Sequence, residues 1–519
     1  MNKRILAILF MLILIISAGN FFGKKNLSPS PKSTSTAINL DSDNDGLLNT
    51  EEIQLYGTDK NNFDTDGDGY KDGEEVKNGY NPLGEGKLIV NSNNGNNMNS
   101  NSSMQEEATK KLSNAEVSIL YQIVTDGNVI GRSVDDVVNI VKELETDLIF
   151  KAWWRQKPIP ESPDMEPNNY FTKDVIRQAA DMGYTYKQLE DAAKRIKTEM
   201  PNTILIGSVS PQFLYAKVPE INIEGDWDSV SKEIISREKA WSWALDPSKF
   251  GLAMSKEEFQ RTWAKNNQGE NSSDPKNQLR YFFPDMTNAE YRSFLLHLIE
   301  RQIDSGMDGI RIDMLFTQPE ALTVVAKSTE HQAVKDSCDA ISKLINEIHQ
   351  YGISKGKYIY VGSWGNSIDS AETGFVEVCK NDELSLDYVH LTPSAKEIRE
   401  MKLNDKWWDE EIARLRNSFG DIAILAFIDW GFRTTSPLGV FSQKLTPEKQ
   451  REFLILADEF FQKKGVKFIY PIHGGYMGAP PILTSYRYPF GKKDYFFYDA
   501  LAPEFNTFET IKDLAGNKK

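Results

Sequence analysis

The stretch SGMDGIRIDMLF (residues 305–316) decides how most of this 519-residue chain is read. Its apolar residues have the texture of a buried β-strand, yet Arg311 and Asp313 lie inside it. A buried charge costs several kcal/mol unless it is paired. Side chains alternate faces along a strand, so Arg311 and Asp313 share one face, and Ile310, Ile312 and Met314 the other. In a barrel wrapped by helices the apolar set faces the helices. The two charges then point inward, with Asp313 nearest the C-terminal mouth, where barrel active sites lie. The rival reading is a purely structural ion pair.

The span 113–519 supplies such a barrel. Eight strand segments alternate with amphipathic helical segments: DLIFKAWW (147–154), TILIGSVS (203–210), AWSWAL (240–245), GIRIDML (309–315), KYIYVGSW (357–364), LDYVHLT (386–392), IAILAFIDW (422–430) and VKFIYPIH (466–473). Helical patterns such as SVDDVVNIVKELE (133–145) and TPEKQREFLILADEFFQKKG (446–465) precede them. Strands alternating with helices predict a parallel sheet with crossovers. Eight in succession predict an α/β fold of the closed (β/α)₈ TIM-barrel type. No G-x-G-x-x-G follows a strand, which argues against a dinucleotide-binding sheet.

The N-terminal part has a different composition. Residues 1–20, MNKRILAILFMLILIISAGN, combine a basic start with a short apolar run, the pattern of a signal peptide or membrane anchor. Residues 21–40 read as a spacer. Residues 41–75 hold twelve Asp/Glu against two Lys, so much of the net charge of −15 is local. No basic stripe marks a nucleic-acid partner. The acidic segment carries one pattern twice, DSDNDGLLNTEE (41–52) and DTDGDGYKDGEE (64–75). Asp41, Asp43, Asp45, Leu47 (through its carbonyl), Asn49 and Glu52 fall at positions 1, 3, 5, 7, 9 and 12 of a calcium loop. Asp64, Asp66, Asp68, Tyr70 (carbonyl), Asp72 and Glu75 repeat the register. Calcium takes six to eight oxygens, and the Gly at position 6 (Gly46, Gly69) allows the sharp turn. Residues 41–80 are expected to be tandem calcium-binding loops, and 81–112, which include an Asn/Ser tract, a flexible linker. Cys338 and Cys379 are the only cysteines, read as two inert thiols or one bridge.

Two resemblances follow from these motifs. The repeats at 41–80 resemble thrombospondin type 3-like and EF-hand-like calcium repeats of secreted bacterial proteins, which implies a calcium-stiffened stalk outside the cell. DGIRID, with the preceding FFPDMTNAEYRSFLLHLIERQIDSGM, resembles the G-x-R-x-D strand of amylase-like glycoside hydrolases and the run that leads into it. That resemblance implies Asp313 as nucleophile, Arg311 as its support, and a further carboxylate, Asp429, at the end of strand seven. The chain departs from the amylase pattern elsewhere. VGSWGN stands where a strand-five Glu belongs, and the strand-seven His-Asp pair is absent.

Glycoside cleavage needs two carboxyl groups flanking the bond. Beside Asp313, two residues compete for the acid: Asp429, whose apolar strand-end setting would suit a proton donor, and Glu372, in the loop after strand five. Sugar-binding candidates are Trp153, Trp154, Trp243, Trp364 and Trp430, because flat sugar faces pack on aromatic rings. Trp241 also lies near a strand end. His390, His473 and Tyr476 are further candidates, and Lys151 faces either way. No His pattern supports a metal in the barrel, and no G-x-S-x-G elbow supports serine hydrolysis. The expectation is a monomeric, secreted or surface-tethered glycoside hydrolase acting on an extracellular polysaccharide. The alternatives are a non-catalytic carbohydrate-binding barrel and a structural surface protein.

Overall fold

The computed structural model describes residues 41–47, 52, 56, 58–78, 80–84, 94–125, 131–154, 158–217, 226–228, 233–268, 272–365, 367–370, 374–379, 384–428, 435–476, 487–490 and 493–519. The chain forms two compact units, one within residues 20–107 and a larger one containing 108–519. Among the described residues no helix is long and apolar enough to cross a membrane. The candidate signal or anchor at 1–20 and the spacer at 21–40 lie outside the described residues.

The larger unit is a closed, eight-stranded parallel barrel. Its strands are β1 (Ser118–Tyr121), β2 (Leu148–Trp154), β3 (Ile204–Val209), β4 (Gly309–Ile312), β5 (Tyr360–Trp364), β6 (Tyr388–Leu391), β7 (Ala423–Phe427) and β8 (Lys467–Tyr476). Each pairs in parallel with the next, and β1 closes the ring on β8 through Ser118↔Ile469 and Ile119↔Tyr470. Alternation sorts the side chains along the regular stretches of these strands. Leu120, Phe150, Ile206, Tyr360, Tyr388, Leu425 and Ile469 fill the interior. Ile119, Leu205, Ile310, Ile312, Val361, Val389, Ile424 and Phe468 pack outward with the helices. Local signals set the helix starts. Ser133 forms a capping box with Asp136 before helix Val134–Glu143, and Thr446 caps helix Pro447–Lys463.

Two strand expectations change. AWSWAL is not a strand. Ser236 accepts from the Lys239 N–H and starts helix Arg237–Trp243, which buries Ala240 and Trp243 at helical spacing. The strand missed is β1, SILY, four residues that are all buried and so short that no alternation can be seen. One strand lost before β4 and one gained leave β4 to β8 in their expected places.

The expected linker is in part helical, over Asn94–Ser113. Its end carries Ala108 and Leu112, one helical turn apart, and both join the barrel's interior cluster. The Tyr360 hydroxyl donates to the Ala108 carbonyl at 2.8 Å, and Lys467 Nζ donates to the carbonyls of Ser113 and Ala115. Residues 108–115 thus seal the N-terminal end of the barrel. Cys338 and Cys379 are joined as a disulfide, which ties helix Gln332–Ser354 to the chain just past the hairpin Ser367–Ser370/Gly374–Glu377.

Gly362 on β5 lets the barrel close. A Cβ there would lie 2.2 Å from the Tyr388 ring. Gly362→Ala is expected to destabilise the barrel by about 1–3 kcal/mol through overpacking. A urea unfolding curve superimposable on that of the wild type would contradict this packing.

Candidate functional site

β4 delivers Arg311 and Asp313 to the inside of the barrel, as the alternation requires. Arg311 is 1% exposed. Each of its three guanidinium nitrogens donates a hydrogen bond. NH2 donates to Asp313 Oδ1, NH1 to Ser208 Oγ at 3.3 Å, and Nε to His390 Nε2 at 3.0 Å. Trp364 Nε1, at the end of β5, donates to the same Asp313 Oδ1 at 2.9 Å. Asp313 Oδ2 takes no hydrogen bond among the described residues. Directly after Asp313 the chain turns through a left-handed residue, Met314 (φ 58°), a conformation costing roughly 1–2 kcal/mol. Such strain gathers at functional sites.

β2 completes this end of the barrel. Its register shifts between Ile149 and Trp153, and Lys151 within that bulge is also left-handed (φ 58°). The bulge breaks the alternation, so Lys151 and Trp153 do not share a face. Lys151 is buried with its Nζ 5.3 Å from the Trp154 ring and 5.1 Å from the Phe427 ring. Arg311 lies over the same Trp154 at 5.4 Å and over Trp364 at 5.7 Å. His390 is wholly buried, with the rings of Trp364, Phe150 and Phe427 nearly perpendicular to its own. Burial, with Arg311 and Lys151 close by, holds its imidazole well below the ordinary histidine range.

The other candidates separate. Trp153 is fully buried, stacked on Tyr184 at 4.9 Å and facing helix Tyr186–Glu199. Trp243 packs on Phe294 and donates to Glu290, and Trp241 packs on Phe282. Trp153 and Trp243 are core residues and Trp241 packs half-buried against the same core, because a bulge or a helix turns each away from the barrel interior. His390 is wholly buried and accepts from Arg311. His473 is also buried, and its Nδ1 is 2.6 Å from Asp499 Oδ2. Asp499 in turn accepts both arms of Arg132, whose NH1 also meets the Tyr121 hydroxyl. Burial works against the charge on Asp499, yet His473 and Arg132 hold it below the ordinary carboxylate range. Asp429, Glu372, Trp430 and the side chain of Tyr476 lie outside the described residues. Sequence reasoning missed Ser208, Phe150 and Phe427, which strand alternation could have flagged. It also missed Asp499 and Arg132, which carry no local signal.

In the smaller unit the acidic residues converge. Carboxylate oxygens of Asp41, Asp43 and Asp45 approach within 4.8 Å of one another, as do those of Asp64, Asp66 and Asp68. Asp45, Glu52 and Asp72 form a third, buried group. Asp72, expected at position nine of the second loop, therefore stands with the first, and it accepts from the Thr65 N–H at 2.8 Å. The turns form as expected: Gly46 (φ 104°) and Gly69 (φ 98°) donate to Asp41 and Asp64. Leu47 and Tyr70 follow these turns, and Asn49 lies outside the described residues. Buried oxygens of Asp41, Asp43, Glu52 and Glu75 have no hydrogen-bond donor among the described residues. Burial and the crowd of carboxylates push Glu52 up to about 8 and Glu75 to about 7. Orphaned, mutually repelling carboxylates fit a hard divalent cation, and these residues would hold calcium.

Residues 41–59 and 64–83 match the family described as "Bacterial TSP3 repeat". No curated protein matches the chain in sequence. Among solved structures the chain is similar to trehalose-6-phosphate hydrolase of Bacillus licheniformis, at 12% identity over 68% of this chain and 64% of that one (TM-score 0.36). It thus spans just under two thirds of that enzyme. It is also similar to the type III pullulan hydrolase of Thermococcus kodakarensis (12%, 78% and 70%, TM-score 0.39). A third is the cyclic alpha-maltosyl-(1→6)-maltose hydrolase of Arthrobacter globiformis (12%, 78% and 82%, TM-score 0.37). These neighbours are amylase-family glycoside hydrolases. At such scores the likeness carries no argument about activity, and the barrel assignment rests on its own strand pairing.

The raised carboxyls give the repeat segment a signed pH dependence. A carboxyl whose pKa is higher folded than unfolded favours the folded state only while protonated. Without calcium, residues 41–84 should therefore lose stability as pH climbs from the ordinary glutamate range through about 8. Bound calcium should remove the loss. Limited proteolysis of the whole chain at pH 5 and 8, with calcium or a chelator, reads this out. Equal cleavage within 41–84 in all four conditions would contradict it.

Proposed function

We propose that the barrel is a glycoside hydrolase acting on an extracellular polysaccharide, secreted or surface-tethered, with Asp313 as its reacting carboxylate. One observation carries this reading. Asp313 stands at the C-terminal end of β4 with one oxygen fixed by Arg311 and Trp364, and Arg311 lies over the indole of Trp154. A carboxylate clamped on one oxygen keeps the other for attack at an anomeric carbon or for activating water. Trp364 both orients the carboxylate and offers a ring to a sugar face. Asp429 is the proposed acid, with Glu372 as the alternative, and the N-terminal repeats are a calcium-binding segment of the same secreted chain.

The second reading is a carbohydrate-binding barrel without catalysis. It is favoured by the sequence at the end of β5, where VGSWGN supplies Trp364 and no Glu. Sugar release from a panel of extracellular glycans, wild type beside Asp313→Asn, separates the two. The hydrolase reading expects release by the wild type and a loss on the order of 10⁴-fold in the variant. Binding to a glycan by both proteins, with release by neither, would establish the binding barrel instead.

A further inference from the structure

Both groups that fix Asp313 Oδ1 rest on one side chain that never touches it. Arg311 donates Nε–H to His390 Nε2 at 3.0 Å, and Trp364 packs on the His390 ring with centroids 4.3 Å apart. We propose that His390 is the positioning residue of this site, setting Asp313 through Arg311 and Trp364, and that it does so as the neutral imidazole carrying its proton on Nδ1. The effect on catalysis rests on the hydrolase reading above, whereas the tautomer does not.

The chemistry leaves one protonation state. A guanidinium has donors and no acceptor, so the nitrogen it meets must present a lone pair. Nε2 is therefore bare and the proton sits on Nδ1, which is buried and meets no hydrogen-bond partner among the described residues. A second proton would set an imidazolium against Arg311 at hydrogen-bond distance in a fully buried site. The charged groups facing the ring are Arg311 and Lys151, both cationic, and both oppose that proton. The ring is packed against Phe150 and Phe427, each 5.5 Å away, and against Trp364, which is closer still. Arg311 has one further anchor, Ser208 Oγ, at the longer distance of 3.3 Å. Without the imidazole acceptor its Nε would be a buried, unpaired donor. The guanidinium would then shift, carrying Asp313 with it.

Two variants isolate the acceptor. His390→Gln can offer an amide oxygen near the Nε2 position, while His390→Phe keeps a ring and removes the acceptor. On a glycan that the wild type cleaves, His390→Phe should lower kcat about 10²-fold with KM unchanged. His390→Gln should recover most of that loss. A His390→Phe enzyme with wild-type kcat, or equal losses in both variants, would overturn the proposal. A spectroscopic test needs no substrate. In the ¹⁵N-histidine-labelled full chain, one of the five histidines should show a bare Nε2 and a protonated Nδ1 from about pH 5 to about pH 8. That signal should vanish in His390→Gln. Protonation on Nε2, or titration within that window, would overturn the assignment even if His390→Phe fails to fold. Failure of the hydrolase reading registers separately, as sugar release that survives Asp313→Asn.

Discussion

The large unit depends on one buried cation. Arg311 lies inside a barrel filled mainly with Leu, Ile, Phe and Tyr side chains, and an unpaired charge there would cost several kcal/mol. The fold answers with a counter-ion two residues along the same strand, an imidazole from β6, a hydroxyl from β3 and the faces of Trp154 and Trp364. Each of these comes from a different strand or strand end. The charge can be accommodated only when β2 to β6 are in register, so the site and the barrel form together.

The same requirement explains the local irregularities. A regular β2 would place Lys151 and Trp153 on one face. The bulge instead brings Lys151 in beside Phe427 and turns Trp153 out onto Tyr184. The left-handed residues Lys151 and Met314 belong to the strands that shape the mouth. Backbone strain is placed where a regular strand would aim its side chains elsewhere. In the smaller unit the logic is opposite in sign. Carboxylates are gathered close to one another, an arrangement that suits a divalent cation.

What was legible in the sequence follows from how local its cause is. The pairing of Arg311 with Asp313 and their inward direction follow from strand parity. The starts of helices Val134–Glu143 and Pro447–Lys463 are written in Ser133 and Thr446. The acidic groups Asp41/Asp43/Asp45 and Asp64/Asp66/Asp68 are legible from spacing alone, whereas the place of Asp72 with the first loop is not. The failures have non-local causes. SILY is too short to show a period. AWSWAL has strand-like residues, and the Ser236 cap decided against them. Trp153 was misplaced because a bulge carries no sequence mark. His473 was expected to meet sugar hydroxyls, but Asp499 and Arg132, distant in sequence and adjacent in space, hold it instead.

The central claim is that Asp313 Oδ2 is the oxygen that meets the substrate. The most direct test is a crystal of Asp313→Asn soaked with an oligosaccharide of the polymer that the wild type cleaves. The account predicts a sugar ring against Trp364, with its anomeric carbon about 3–3.5 Å from the side chain at position 313. A sugar bound with every anomeric carbon out of reach of that side chain would contradict it.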